Sequence, residues 1–359
     1  MLRFLVPLFS AFALLAQVPE IPYESVPNLL KLPRDMNLGE TSGVAVNSKG
    51  HIFVFTRSNS ATGPAYGAAA AQLFEFDADG TLLREVAKNL YAWSFAHTVR
   101  IDKDDNIWVV DKGSNMIVRL NQEGHVTMVF GRKQEASDEA RPPDKDHPPA
   151  HAQDGMFNQP TDIAWNSQGD MFMSDGYINS RVAKANKNGD WVKSWGERGS
   201  SPGQFWLPHA IAVDAKDQVY VADRANARIQ VFDSDGKFLR QITIDVPAAP
   251  GAKPAIGYQA PPPPNAPPGT NLTYKPGAPA AICITPGPNQ VMYVSDLYPG
   301  RIYKLSLDGK VLGMLGRSGK QLGQFGGIHQ LACPSENVIF VAELLNWRIQ
   351  KLLLDPARP

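Results

Sequence analysis

The chain has 359 residues, with 35 lysines and arginines against 35 aspartates and glutamates, a formal net charge of zero. That balance carries no electrostatic footprint for nucleic acid or an anionic membrane surface, and leaves a small neutral or locally anionic ligand as the expected partner. Length alone would allow roughly two or three domains, but an internal repeat draws residues 17–359 into a single one.

At the N-terminus, Arg3 precedes an apolar run from Phe4 to Ala16, with Ala11-Phe-Ala13 or Leu14-Leu-Ala16 as small-residue cleavage positions. Residues 1–16 read as a secretory signal peptide, so the protein is expected to be exported, secreted or periplasmic, with no membrane contact after cleavage. Pro7 and the shortness of the run argue against a spanning helix. Residues 17–40 are punctuated by proline. Their apolar segment Val26-Pro-Asn-Leu-Leu-Lys-Leu-Pro33 is expected to supply a strand near 27–33 that completes the last repeat, which otherwise lacks its fourth.

From residue 42 onward a unit of four short strands recurs. In its clearest copy, Gly203-Gln-Phe-Trp-Leu-Pro leads into an apolar strand from His209; further strands follow at 218–222, 228–232 and from Phe238 to Ile244. Four strands joined by tight polar turns make an antiparallel meander, one propeller blade. First strands begin at Ser42, His97, Thr161, His209, Ala280 and His329. Six units predict an all-β fold, a six-bladed β-propeller. Histidine opens blades two, four and six, which lie about 120° apart around the central channel. A lone histidine there is usually a satisfied structural group, whereas three converging on one axis point to a shared metal site.

Two connections carry inserts. Residues 133–155 are charged and bear His147 and His151, read as solvated rather than as ligands; residues 246–279 are rich in Pro, Ala and Gly. Both read as long surface loops, and Asn271-Leu-Thr273 in the second is a weak glycosylation match. Cys283 and Cys333 fall at the fourth and fifth residues of their strands, on opposite faces, so buried free thiols are expected rather than a disulfide. Between second and third strands an acid, an asparagine and an arginine recur: Asp175, Asn179 and Arg181; Asp223, Asn226 and Arg228; Glu343, Asn346 and Arg348, with Asp296 and Arg301 a looser copy. Recurrence favours an ion pair and turn cap inside each blade over catalysis.

The Asn-x-Arg-Ile pattern and the Gly-Gln-Phe segments at Gly203 and Gly323 resemble NHL-repeat propellers. More narrowly, Gln159-Pro-Thr-Asp, Ser174-Asp-Gly-Tyr177-Ile-Asn-Ser-Arg181, Trp195-Gly-Glu, Pro208-His209 and Ala222-Asp-Arg224-x-Asn-x-Arg228-Ile-Gln resemble peptidyl-α-hydroxyglycine α-amidating lyase, across residues 25–354 and most closely over 155–235. The resemblance implies an enzyme that acts on a peptide C-terminus or related small molecule and releases an amide and glyoxylate. It implies zinc on His97, His209 and His329, and a trio of histidines without cysteine also suits Zn²⁺ in an open site. Arg57, Tyr177 and Arg224 end second strands beside that face, because first and second strands form a hairpin; Lys112 and Gly176 stand at such places in other blades. Two guanidiniums above a metal call for an anionic partner such as a substrate carboxylate. By resemblance, Tyr177 as phenolate takes the hydroxyl proton while Arg57 and Arg224 provide the positive charge.

The family also holds calcium, at places corresponding to the main chain of Val44 and Val99 and to an aspartate where this chain has Gln330, a weaker ligand. Its Met-Pro before the third histidine is Gly327-Ile328 here, and the cysteines that brace its tyrosine and arginine loops are replaced by Ile178 and Val219. No counterpart of the copper monooxygenase of bifunctional animal enzymes is recognised in the sequence, which predicts a substrate made elsewhere or another α-hydroxy-amide. A second reading, of a different class, is a non-catalytic exported propeller that binds a peptide or protein around a structural metal. A lactone hydrolase would use an acidic metal set that these histidines do not resemble.

Overall fold

The computed structural model describes residues 18–57, 71–133, 152–263 and 265–354. The expected signal segment, His147 and His151 lie outside the described residues. Short runs of Val, Ile, Phe and Ala form strands, and most turns between them are capped by the first acid or amide of the loop, with Thr285 and Ser306 doing so in blade five. At Asp214, for example, Oδ1 accepts from the backbone N–H of Lys216 at 2.9 Å and of Gln218 at 2.8 Å. The result is all-β: six four-stranded antiparallel sheets arranged as propeller blades. Their innermost strands are Glu40–Val46, Ala96–Ile101, Asp162–Trp165, Pro208–Val213, Ala281–Ile284 and Ile328–Ser335.

Blade six takes its outer strand from the start of the described chain. Tyr23–Ser25 pairs antiparallel with Arg348–Leu354, Tyr23 opposite Leu354 and Ser25 opposite Leu352. The strand therefore lies upstream of the expected 27–33. Prolines 27 and 33 deprive that stretch of ladder donors, and its Leu29, Leu30 and Leu32 pack instead into the apolar cluster between blades six and one.

Six buried clusters are found among the described residues, and each draws on two successive blades, so apolar packing runs around the whole ring. Phe55, Trp93, Val99 and Val109 fill the interface of blades one and two. Between blades five and six, Cys283 and Cys333 are joined in a disulfide with Cα atoms 6.0 Å apart, against the expectation of free thiols. The two strands are not neighbours in one sheet but belong to stacked blades. Opposite faces, which separate side chains within a sheet, bring them together across an interface.

The recurrent acid and arginine form ion pairs within three blades: Asp175 with Arg181 at 3.1 Å, Asp223 with Arg228 at 2.9 Å and Glu343 with Arg348 at 2.7 Å. In blade five Asp296 instead accepts from the backbone N–H groups of Gly300 and Arg301 and from the Tyr303 hydroxyl. These side chains brace turns, which leaves the axis to other residues.

Candidate functional site

Each candidate histidine sits where the hairpin of first and second strands slips register. Ala96 pairs with Asp111 and Thr98 with Val110, leaving His97 unpaired; Pro208 and Ala210 flank His209, and Ile328 and Gln330 flank His329, in the same way. A bulge releases its extra residue from the ladder and re-aims the side chain. All three imidazoles are buried, and one ligand atom from each lies within 4.8 Å of the others.

The intervening blades set the tautomer. His97 Nδ1 lies 2.6 Å from the Thr161 carbonyl, His209 Nδ1 2.7 Å from that of Ala280, and His329 Nδ1 2.7 Å from that of Ser42. A carbonyl can only accept, so each Nδ1 carries the proton and each Nε2 presents a lone pair. The Tyr177 hydroxyl faces Nε2 of His97 at 3.3 Å and of His209 at 3.2 Å, while His329 Nε2 is buried with no hydrogen-bond partner among the described residues. One phenolic proton cannot satisfy three converging lone pairs. Such a donor set fits a divalent cation held by three nitrogens with a fourth position open, its imidazoles oriented by carbonyl acceptors. Burial first, then the cations and imidazoles nearby, hold all three histidines well below the usual pKa of 6.5, so they stand neutral and ready to ligate.

Tyr177 stands at this trio, Arg224 lies 6.0 Å from its ring centroid, and Arg57 reaches the carbonyl of Ala96, next to His97. Gly176 makes room for Tyr177: a Cβ there would lie 1.9 Å from the Pro208 carbonyl, so only glycine lets this chain pass blade four so closely. Burial alone would raise the Tyr177 phenol, but Arg224, Lys112 and Arg57 together outweigh it and bring its pKa below the ordinary tyrosine value. Sequence reasoning passed over Lys112, whose ammonium lies 3.7 Å from the Tyr177 ring centroid. Its blade position, shared with the two arginines, was the available signal. Arg57 has an anionic partner within the chain, since Nη1 lies 2.6 Å from Glu40 Oε2 and Nε donates to the Ala96 carbonyl at 3.2 Å. Arg224 keeps a buried Nε without a hydrogen-bond partner among the described residues.

The second insert also reaches this face. Its Leu272 N–H donates to the carbonyl of Ala225, next to Arg224, at 2.9 Å, and its Tyr258 and Tyr274 rings lie 5.6 Å apart. At Gly327, two residues before His329, the space of a side chain is taken by the Tyr258 hydroxyl, 2.3 Å from where a Cβ would stand.

The residues expected to hold calcium do not fit it. Gln330 is buried, its Oε1 accepting from the N–H groups of Val44 at 3.2 Å and Val99 at 3.1 Å, while its Nε2 donates to the Val99 carbonyl at 2.6 Å. A neutral amide thus ties blades one, two and six together, and it meets the N–H of Val44 rather than a carbonyl. Calcium needs oxygen ligands and negative charge at that point.

Comparison with known proteins agrees with this architecture. The family model described as NHL repeat matches residues 205–232. Over 231 residues the chain is 35% identical to the peptidylglycine alpha-amidating monooxygenase of Rattus norvegicus, covering 57% of this chain and 22% of that protein. It is 24% identical over 373 residues to peptidyl-alpha-hydroxyglycine alpha-amidating lyase 1 of Drosophila melanogaster, covering 93% of this chain and 63% of that one. The chain thus spans about a fifth of the rat relative's length and under two thirds of the fly relative's. A solved streptogramin B lyase superposes with a TM-score of 0.55 at 12% identity, over 93% of this chain and 97% of that one, a likeness of fold alone. The chain is a six-bladed β-propeller that carries an NHL-repeat match in its fourth blade and resembles peptidyl-α-hydroxyglycine α-amidating lyase.

Proposed function

We propose that the protein is a zinc-dependent lyase that cleaves a peptidyl-α-hydroxyglycine, or a related α-hydroxy-amide, to an amide and glyoxylate. The observation that carries this reading is the convergence of three imidazole lone pairs on one another, two of them on the Tyr177 hydroxyl, whose ring lies beneath Arg224. A dication bound by these nitrogens would act as a Lewis acid toward the substrate hydroxyl and make its proton easier to remove. The residues of the chain do the rest. Arg224, whose Nε has no hydrogen-bond partner among the described residues, takes the substrate carboxylate, and Arg57, anchored by Glu40, fixes the positive field around it. Tyr177, its phenolate favoured by three cations, accepts the hydroxyl proton. The oxygen's electron pair closes the carbonyl of glyoxylate, the carbon–nitrogen bond breaks, and the nitrogen leaves as an amide by taking a proton back from Tyr177.

Export of the mature protein is part of the same proposal. It is supported by the Arg3 and Phe4-to-Ala16 pattern and by the Cys283–Cys333 disulfide, a bond that persists in oxidising compartments.

The test is glyoxylate release from a synthetic peptidyl-α-hydroxyglycine after chelation and again after zinc is restored. Activity that vanishes and returns supports the lyase. No release in any metal state with zinc bound rejects this substrate and leaves either a different carbinolamide or the binding propeller. Tyr177→Phe separates the two further: it should keep zinc and its melting temperature while losing about 10²- to 10⁴-fold in kcat, the usual contribution of a general base.

A further inference from the structure

The tyrosines of the second insert stand between the Arg224 side of the channel face and Gly327, two residues before the third histidine. The insert is tied down at several points: Leu272 N–H to the Ala225 carbonyl at 2.9 Å, Arg301 Nη1 to the Pro247 carbonyl at 2.8 Å, and the Tyr298 hydroxyl to the Ala252 carbonyl at 3.2 Å. It therefore bridges the arginine side of the channel mouth, at Arg224, and the side of the third histidine, at Gly327. Tyr258 reaches into the space left by the missing side chain of Gly327, and Tyr274 leans on it with the rings tilted by 54°. Burial raises the pKa of both phenols, in contrast to Tyr177, so neither is suited to act as a base at neutral pH. Two neutral, part-buried aromatic rings at a channel mouth are a surface for stacking an apolar group.

We propose that Tyr258 and Tyr274 form a specificity-determining aromatic subsite for the group on the nitrogen side of the scissile bond, so that the preferred substrate carries an aromatic or large apolar residue next to its glycine-derived end. The inference rests on the lyase reading of the channel. A substrate held by its carboxylate at Arg224 and its hydroxyl at the imidazole Nε2 atoms points its amide out of the channel, past these rings. A small residue there makes no ring contact, whereas a phenyl ring can stack on the tyrosine pair.

Peptides ending in Phe-Gly and in Gly-Gly keep the carboxylate but lack the α-hydroxyl, so they bind without reacting. Titrated by calorimetry into the zinc-loaded protein, Phe-Gly is expected to bind about tenfold more tightly than Gly-Gly, the upper range for one aromatic contact. Tyr258→Ala and Tyr274→Ala should each cut that ratio to about threefold or less, while Tyr258→Phe and Tyr274→Phe keep it. Zinc content and melting temperature certify each variant as folded, and either position alone suffices to decide. A ratio near one in the unmodified protein, no binding of either peptide, or a ratio unchanged in the alanine variants overturns the proposal. Because no turnover is read, the result stands apart from glyoxylate release: preference without release removes the lyase reading and leaves the two rings as a peptide-binding contact only, and release without preference keeps the lyase and overturns the subsite.

Discussion

Tyr177 is held between two imidazole lone pairs below and Arg224, Lys112 and Arg57 around it, and each cation favours its ionised form. A phenol with a lowered pKa gains its phenolate at a pH below 10, so kcat/KM should climb with pH along a limb whose midpoint lies under that value. Lys112→Met removes one of the lowering charges. It should move that limb upward while leaving zinc content unchanged, and a limb that stays in place would exclude Lys112 from the field at Tyr177. At this scale the histidines and the residues above them could be read from sequence, because each holds a fixed place in a repeat. The carbonyls of Ser42, Thr161 and Ala280 that set the tautomers could not, since main-chain acceptors leave no mark on residue type. Lys112 escaped because it was read as an ordinary residue of the repeat, from which the two arginines depart.

Among the elements, the inner strands of blades one, two and six meet through the Gln330 amide. Gln330→Ala would leave the N–H groups of Val44 and Val99 buried and unpaired, at about 1–3 kcal/mol each. A melting temperature several degrees lower is expected, whereas adding calcium to the unmodified protein should not shift it; calcium-dependent melting would contradict the reading of this amide as a crosslink. Gln330 could be picked out in the sequence as a departure, but the bond it makes depends on three strands far apart in the chain. The cysteines teach the complementary lesson. Strand parity was read correctly, yet parity within one sheet says nothing of which faces stack between blades, and Cys283 and Cys333 meet across that stack. For the second insert, composition predicted a loop and two tyrosines among prolines were the unused sign of a docked one.

Over the whole molecule, six blades followed from periodicity alone because each strand of the repeat is short, apolar and bounded by turn residues. The closure did not follow in detail, since a strand of three residues, Tyr23–Ser25, is too short to show a period. Deleting residues 18–25 exposes the edge of Arg348–Leu354 and should lower the melting temperature of the entire ring in one transition; a separate early transition confined to blade six would show that the blades melt independently. The imidazole-to-carbonyl bonds give this closure a further reach. They couple blade two to three, four to five and six to one, three different seams of the ring. A metal held by all three imidazoles is in effect a strain gauge at the hub. A seam sprung at the rim would tilt one ligand relative to the other two, and would loosen the hold on such a metal while the sheets themselves are still paired.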